Sequence, residues 1–273
     1  MRAIPKLFAA VFVLLLTMGG RAEAQTQPTE AYPIWWSPNL GLEKLDDADK
    51  YLEDPASLGG DIPLIKDDGD DRKEAIAESC GSLDRLLEKG FHAGFMMHSM
   101  RVVLYHLAKC DAIEMLLEAK PAKKSYVRDF ILDSDSMDYL PAMVNPSASC
   151  DRLCRQYVAN ERRISWKEFA GLDSRSMKYE SDYRMKGEVS GSHLTLEMLA
   201  RADFNGDGLE DLLLMSHAGA VGGTWGTTNL YVLSRESPDG VLWVLDAEKG
   251  LCSKRYYQCE SEYDFPEVLR RTN

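Results

Sequence analysis

The segment Asp203-Phe204-Asn205-Gly206-Asp207-Gly208-Leu209-Glu210-Asp211 concentrates the residue types best suited to hold a cation. Side-chain oxygens stand at its first, third, fifth and ninth positions. Calcium is a hard cation that takes about six to eight oxygen ligands. In a tightly wound loop alternate residues point at one centre. Asp203, Asn205 and Asp207 would each offer a side-chain oxygen, Leu209 its backbone carbonyl, and Asp211 would close the shell, with water at a remaining position. Gly206 and Gly208 permit backbone angles closed to other residues. The three carboxylates oppose the ion's double charge and offset its desolvation. Magnesium matches less well, because it gives up its waters reluctantly. The expected cofactor is one calcium ion.

Other candidates carry less chemistry. His193 and His217 flank this segment and have acid–base capacity, although a lone histidine on a strand is more often structural or exposed. Gly219 to Gly226 (GAVGGTWG) follows an apparent strand. A phosphate-binding loop would have to open a helix, whereas Thr227 to Ser234 reads as another strand. The glycine-rich stretch is therefore expected to be an inter-strand loop that presents Trp225 near the calcium end, where a ligand would be sought. His92, Met96, Met97, His98, Met100 and His106 invite a copper reading. On a helix, however, His98 and His106 lie roughly 80° apart, and the methionines suit ordinary core packing. No G-x-S-x-G, H-E-x-x-H, P-loop or C-x-x-C motif occurs. No catalytic residue is assigned, and a non-enzymatic role is expected; the alternative is a calcium-dependent hydrolase with its site near the loop.

The stretch ADFNGDGLEDLLL resembles the DxNGDGxxD calcium loop of FG-GAP and VCBS-type repeats, a loop core shared with dockerins and EF-hands. The resemblance covers about residues 200–216. Position 12 is Leu214 where an EF-hand has its bidentate glutamate, and the flanks read as strands. The loop occurs once, whereas a propeller needs several blades. The resemblance implies a calcium loop joining two strands, without the propeller.

The elements that would position this loop are read from periodicity. Ile76, Cys80, Leu83 and Leu87 fall at helical spacing, with Gly90 as a stop. The acids Asp67, Asp68, Asp70 and Asp71 then read as a turn at Gly69 followed by a helix start, where the dipole favours them. A second helix is expected from about Phe95 to Lys120, ended by Pro121. Weaker helical segments follow near 125–133, 136–140 and 150–161, and Ser165-Trp166-Lys167-Glu168 has capping-box form. From His193 the apolar residues alternate, as in a half-buried strand, and Leu212 to Ser216 reads as a more buried one. Leu230 to Ser234 and Val241 to Leu245 flank the turn signal Ser237-Pro238-Asp239-Gly240. The expected class is α+β, with a helical N-terminal half followed by a small antiparallel sheet that carries the calcium loop.

Four regions follow: a signal peptide at 1–24, an extended segment at 25–40, a helical region at 41–172 and an antiparallel β region at 173–273. The signal reading rests on Arg2 and Lys6, the apolar run from Leu7 to Met18, and Ala22-Glu23-Ala24 as a cleavage site. In the extended segment, Trp35 and Trp36 are expected to dock on the body, with an exposed ligand platform as the alternative. The chain has 273 residues and net charge −12. Without its leader it would carry −14, which argues against nucleic acid as a partner. Nor is a membrane partner expected after signal cleavage. An unidentified protein or glycan remains as partner, in a periplasmic or secreted location.

Six cysteines, Cys80, Cys110, Cys150, Cys154, Cys252 and Cys259, favour disulfides in an exported chain. Cys252–Cys259 is the first pairing expected, since the two enclose a short polar segment. A tight hairpin at Gly90 would leave Cys110 about 12 Å along the helix axis from a position opposite Cys80, so a Cys80–Cys110 bridge would need a longer connection, and crossed pairs such as Cys80–Cys154 or Cys110–Cys150 stay open.

Overall fold

The computed structural model describes residues 31–68, 71–93, 97–144, 165–170, 177–189, 191–223 and 226–245. The proposed signal peptide, the helix expected at 150–161, and Cys150, Cys154, Cys252 and Cys259 lie outside them.

The architecture is mostly β. Six strands form an antiparallel meander in spatial order: β6 (Met177–Ser181), β7 (Arg184–Val189), β8 (Ser192–Ala202), β9 (Leu209–Ala220), β10 (Gly226–Ser234) and β11 (Trp243–Val244). Two short N-terminal strands complete the eight. β1 (Trp35–Trp36) pairs antiparallel with β8, and β5 (Lys124–Ser125) pairs parallel with β9. A second sheet consists of the hairpin β2 (Ile62–Asp68) and β3 (Asp71–Ala77), with β4 (His92–Ala93) beside β2. Four helices are described: α1 (Ala48–Glu53), α2 (Cys80–Glu88), α3 (Met97–Glu118) and α4 (Trp166–Ala170). Among the described residues no helix is long and apolar enough to cross a membrane.

The expectation of a helical N-terminal half is corrected by this layout. β2 and β3 pair antiparallel, and Asp67, Asp68 and Asp71 stand on these strands; Gly69 and Asp70 lie outside the described residues. Ile76, assigned above to a buried helix face, is 57% exposed on β3. The helix starts later, where Ser79 and Ser82 form a reciprocal capping box. Near 125–140 the chain makes the short strand β5 and a 3₁₀ turn at Asp135–Asp138, because these residues spread over a sheet face. α3 and the short helix at Trp166 match their sequence signals; the Glu168 N–H donates to Ser165 Oγ at 3.2 Å.

The main sheet is also larger than expected, because both its faces are covered. On one face Leu196, Met198, Leu212, Leu214 and Leu233 pack with Val127, Leu132, Leu140 and the fully buried Trp166. On the other, Leu213, Met215, Leu230 and Val232 meet Leu40, Ala112, Ile113 and Leu116. A strand buried on both sides loses its alternation and reads as a continuous apolar run, which explains Leu212-Leu213-Leu214-Met215. A bulge between Met198 and Ala200 reverses the alternation of β8, so Leu199 and Ala200 both enter the α3-side core while Arg201 returns to the opposite face.

A third core joins the small sheet to α2 and α3 through Leu64, Leu83, Val103 and Leu107. The Cys80–Cys110 disulfide lies inside it, with its Cα atoms 5.6 Å apart. The connection between α2 and α3 is no tight hairpin. It runs through β4, and this longer path brings Cys110 back to Cys80.

Candidate functional site

β8 and β9 deliver the predicted calcium loop as the turn of their hairpin, just beyond the Ala202–Asp211 pair. Its polar side chains fold the backbone around themselves. Asp203 Oδ1 accepts from the Gly206 N–H at 2.7 Å, and Oδ2 accepts from the Gly208 N–H at 2.9 Å. Asn205 Oδ1 accepts from the Asp207 N–H at 3.0 Å, and its amide donates to Asp207 Oδ2 at 2.9 Å. Asp207 Oδ1 accepts from the Leu209 N–H at 2.7 Å. Such local bonds let Asp and Asn replace sheet pairing in a tight turn. Gly206 and Gly208 hold φ of 83° and 87°, values that side chains disfavour. The loop is anchored from outside by paired backbone bonds between Asp203 and Lys120, and by the Lys123 and Lys124 N–H groups, which both donate to the Gly208 carbonyl.

Asp211 behaves differently from the other loop acids. It is fully buried. Its Oδ2 accepts from the Phe204 N–H at 3.1 Å, but Oδ1 has no hydrogen-bond partner. The nearby Ser234 hydroxyl counters part of the burial without reaching hydrogen-bond geometry. Burial first, and then the negative charges of Asp207 and Asp203, push the Asp211 carboxyl up to about 7. A buried carboxylate oxygen without a donor is costly. Among the described residues, though, no three His, Cys, Asp or Glu side chains converge closely enough to hold a metal ion. The calcium donor set of the sequence reading also uses an amide and a carbonyl, and its carboxylates are engaged by backbone N–H groups.

Glu210 faces away from the loop. It is buried; Oε1 pairs with Arg128 Nη1 at 2.9 Å, and Oε2 accepts from Ser125 Oγ at 2.5 Å. Its position between Leu209 and Asp211 is a local strand alternation, but its partners are about 80 residues away in sequence and left no local signal.

The remaining candidates are not brought to the loop. On β8 and β9, Thr195 pairs with His217 and His193 with Gly219. His217 is thus six residues from Asp211, roughly 20 Å along the strand at about 3.3 Å per residue. It sits against the α3 side, with Nδ1 2.7 Å from Thr228 Oγ1 and its ring edge-on to Tyr105 at 6.0 Å. His193 is exposed and lines an open depression with Lys178, Lys186 and Glu188. The glycine turn after β9 lies at the strand end opposite the calcium loop, since Gly219 pairs with Gly226. Trp225 itself lies outside the described residues, as do Met96 and the side chains of Met97, His98 and Met100. His92 stands on β4, so the Met/His stretch is divided between a strand and a helix.

A further buried acid also lacks a sequence signal. Glu197, 1% exposed, looks like an ordinary outward residue of an alternating strand. α3 covers that face. Asn39 Nδ2 donates to Glu197 Oε1 at 2.7 Å, and Oε2 lacks a partner. Burial first, then the Glu197 charge, pushes the Tyr105 hydroxyl up; burial holds Lys109 down, partly opposed by the same charge.

The fold and site define a mostly antiparallel β protein with an Asp/Asn/Gly hairpin loop at one end of a sheet covered on both faces. No family model, curated protein or solved structure matches the chain.

Proposed function

We propose that the chain is an exported binding module in which the Asp203–Asp211 loop takes one calcium ion with a mainly structural role. The observation that carries this reading is the buried, partnerless Oδ1 of Asp211 beside a loop that carries two further carboxylates. A cation at this loop would give that oxygen a partner and neutralise the charge that burial now disfavours. Asp203, Asn205, Asp207, the Leu209 carbonyl and Asp211 would hold it. The resemblance to the DxNGDGxxD loop supports the same assignment. The Cys80–Cys110 disulfide supports an oxidising compartment.

Isothermal titration of the chelated, dialysed protein tests the assignment. One calcium ion is expected to bind per chain, with magnesium at least about tenfold weaker, because its stricter octahedral geometry tolerates this ligand set poorly. Asp207→Ala removes an exposed ligand and is expected to abolish the heat. Absence of binding by the wild-type protein, with no calcium retained before chelation, contradicts the proposal.

A further inference from the structure

The strand alternation of β1 sends its two tryptophans to opposite faces. Trp36 packs on the α3 side, where its Nε1–H donates to the Leu42 carbonyl at 2.8 Å. Trp35 turns the other way and lines an open cleft of about 530 Å³. Tyr183 stands beside it, ring centroids 6.4 Å apart and tilted by 52°. Phe130 and Met198 add apolar surface. The cleft is open, so a ligand seated there stays partly in water.

Four charged side chains line the same cleft: Arg128, Arg201, Asp129 and Asp182. The arginines are held before any ligand arrives. Arg201 lies over the Trp35 ring at 4.6 Å and donates to the Arg128 carbonyl. Arg128 lies over Tyr32 at 5.4 Å and pairs with the buried Glu210. Groups fixed in this way lose little freedom on binding.

The lining selects the ligand by elimination. Arg128 is already paired with Glu210, which leaves Arg201 facing Asp129 and Asp182: an anion meets net repulsion, and a cation meets the Arg201 guanidinium already seated over the Trp35 ring. The chain's overall charge of −12 adds to the case against an anion. A wholly apolar ligand would take water from four charged groups without replacing it. A neutral ring with C–H faces and many hydroxyls uses the whole lining. Its C–H face lies on the apolar surface of Tyr183, Phe130 and Met198, beside the Trp35 ring that Arg201 covers; its hydroxyls donate to Asp129 and Asp182 and accept from guanidinium N–H groups. We infer that this cleft binds an uncharged sugar ring of an oligosaccharide. The inference rests on the reading of the chain as a binding module and not on the ion.

The test uses the full chain on an array of uncharged glycans. It is followed by tryptophan-fluorescence titration with chitotriose, cellotriose, maltotriose and any array hit, with trigalacturonate as the anionic comparator. Saturable binding of at least one uncharged glycan is expected. Trp35→Ala should weaken it by about tenfold or more, the scale of one aromatic contact. Ile131 is a cleft residue with 41% exposure, so Ile131→Trp should obstruct the site and leave the unfolding midpoint unchanged. If Trp35→Ala fails to fold, Ile131→Trp decides. Failure of every uncharged glycan to bind, tighter binding of trigalacturonate, or binding that survives both substitutions overturns the inference. Each titration is run in calcium and in EGTA. Sugar binding with no calcium response would sink the ion assignment alone, and calcium binding without sugar binding would sink this inference alone.

Discussion

Asp211→Asn is expected to stabilise the calcium-free protein by about 2–4 kcal/mol at pH 8 and by only about 0.5 kcal/mol at pH 4. The carboxyl ionises near 3.9 in an unfolded chain and at about 7 in the fold, chiefly because it is buried. Below the lower value it is protonated in both states and costs nothing. Between the two values the unfolded chain has released its proton while the folded protein keeps it. Stability therefore falls as pH rises through this window, and the full penalty is present above about pH 7. An amide at position 211 retains an acceptor for the Phe204 N–H and carries no charge at any pH. Urea unfolding of both proteins at pH 4, 6 and 8, after chelation and dialysis, measures the difference. An advantage that does not change with pH would show that the carboxyl is not held in its protonated form.

The second large effect concerns Cys80 and Cys110. Replacing both by alanine is expected to cost about 3–4 kcal/mol. The bridge spans 30 residues, and its removal frees the unfolded chain from a loop of that length. Both cysteines are buried in the core formed by the small sheet, α2 and α3, so their loss also leaves sulfur-sized voids. Urea midpoints of the wild type and the double variant under non-reducing conditions give the value. A loss below about 1 kcal/mol would mean that the bridge constrains neither state appreciably.

What could be read from the sequence was local. The turn between β8 and β9 was legible because its polar residues lie within nine residues, and Asp203, Asn205 and Asp207 each accept from backbone N–H groups two to five positions away. β8 and β9 were legible because one alternates and the other runs apolar. The helix read from Ile76 was an accident of period: Cys80, Leu83 and Leu87 belong to α2, but Ile76 is separated from them by a strand end and a capping box. The apolar residues of β2 carry little alternation, and the acids of this segment drew the reading toward a helix start. β7 also carried its signal, with Met185 and Val189 buried between Arg184, Lys186 and Glu188. The partners of Glu197, Glu210 and Cys80 are 30 to 158 residues away. The burial of Glu197 and Glu210 and their ties therefore emerge only in the fold, whereas the apolar setting of Cys80 was legible and its bridge to Cys110 turned on the path through β4.

Thermal unfolding near pH 7.5 in excess calcium, in magnesium and in EGTA tests the central claim most directly, for the wild type and Asp207→Ala. At calcium about a hundredfold above the dissociation constant, the ion adds about 2.7 kcal/mol. For a domain of this size that raises the wild-type midpoint by about 5–10 °C over EGTA. Magnesium gives little of this shift, and Asp207→Ala gives none. An unchanged wild-type midpoint in EGTA, or an equal calcium shift in Asp207→Ala, would contradict a structural ion at the Asp203–Asp211 loop.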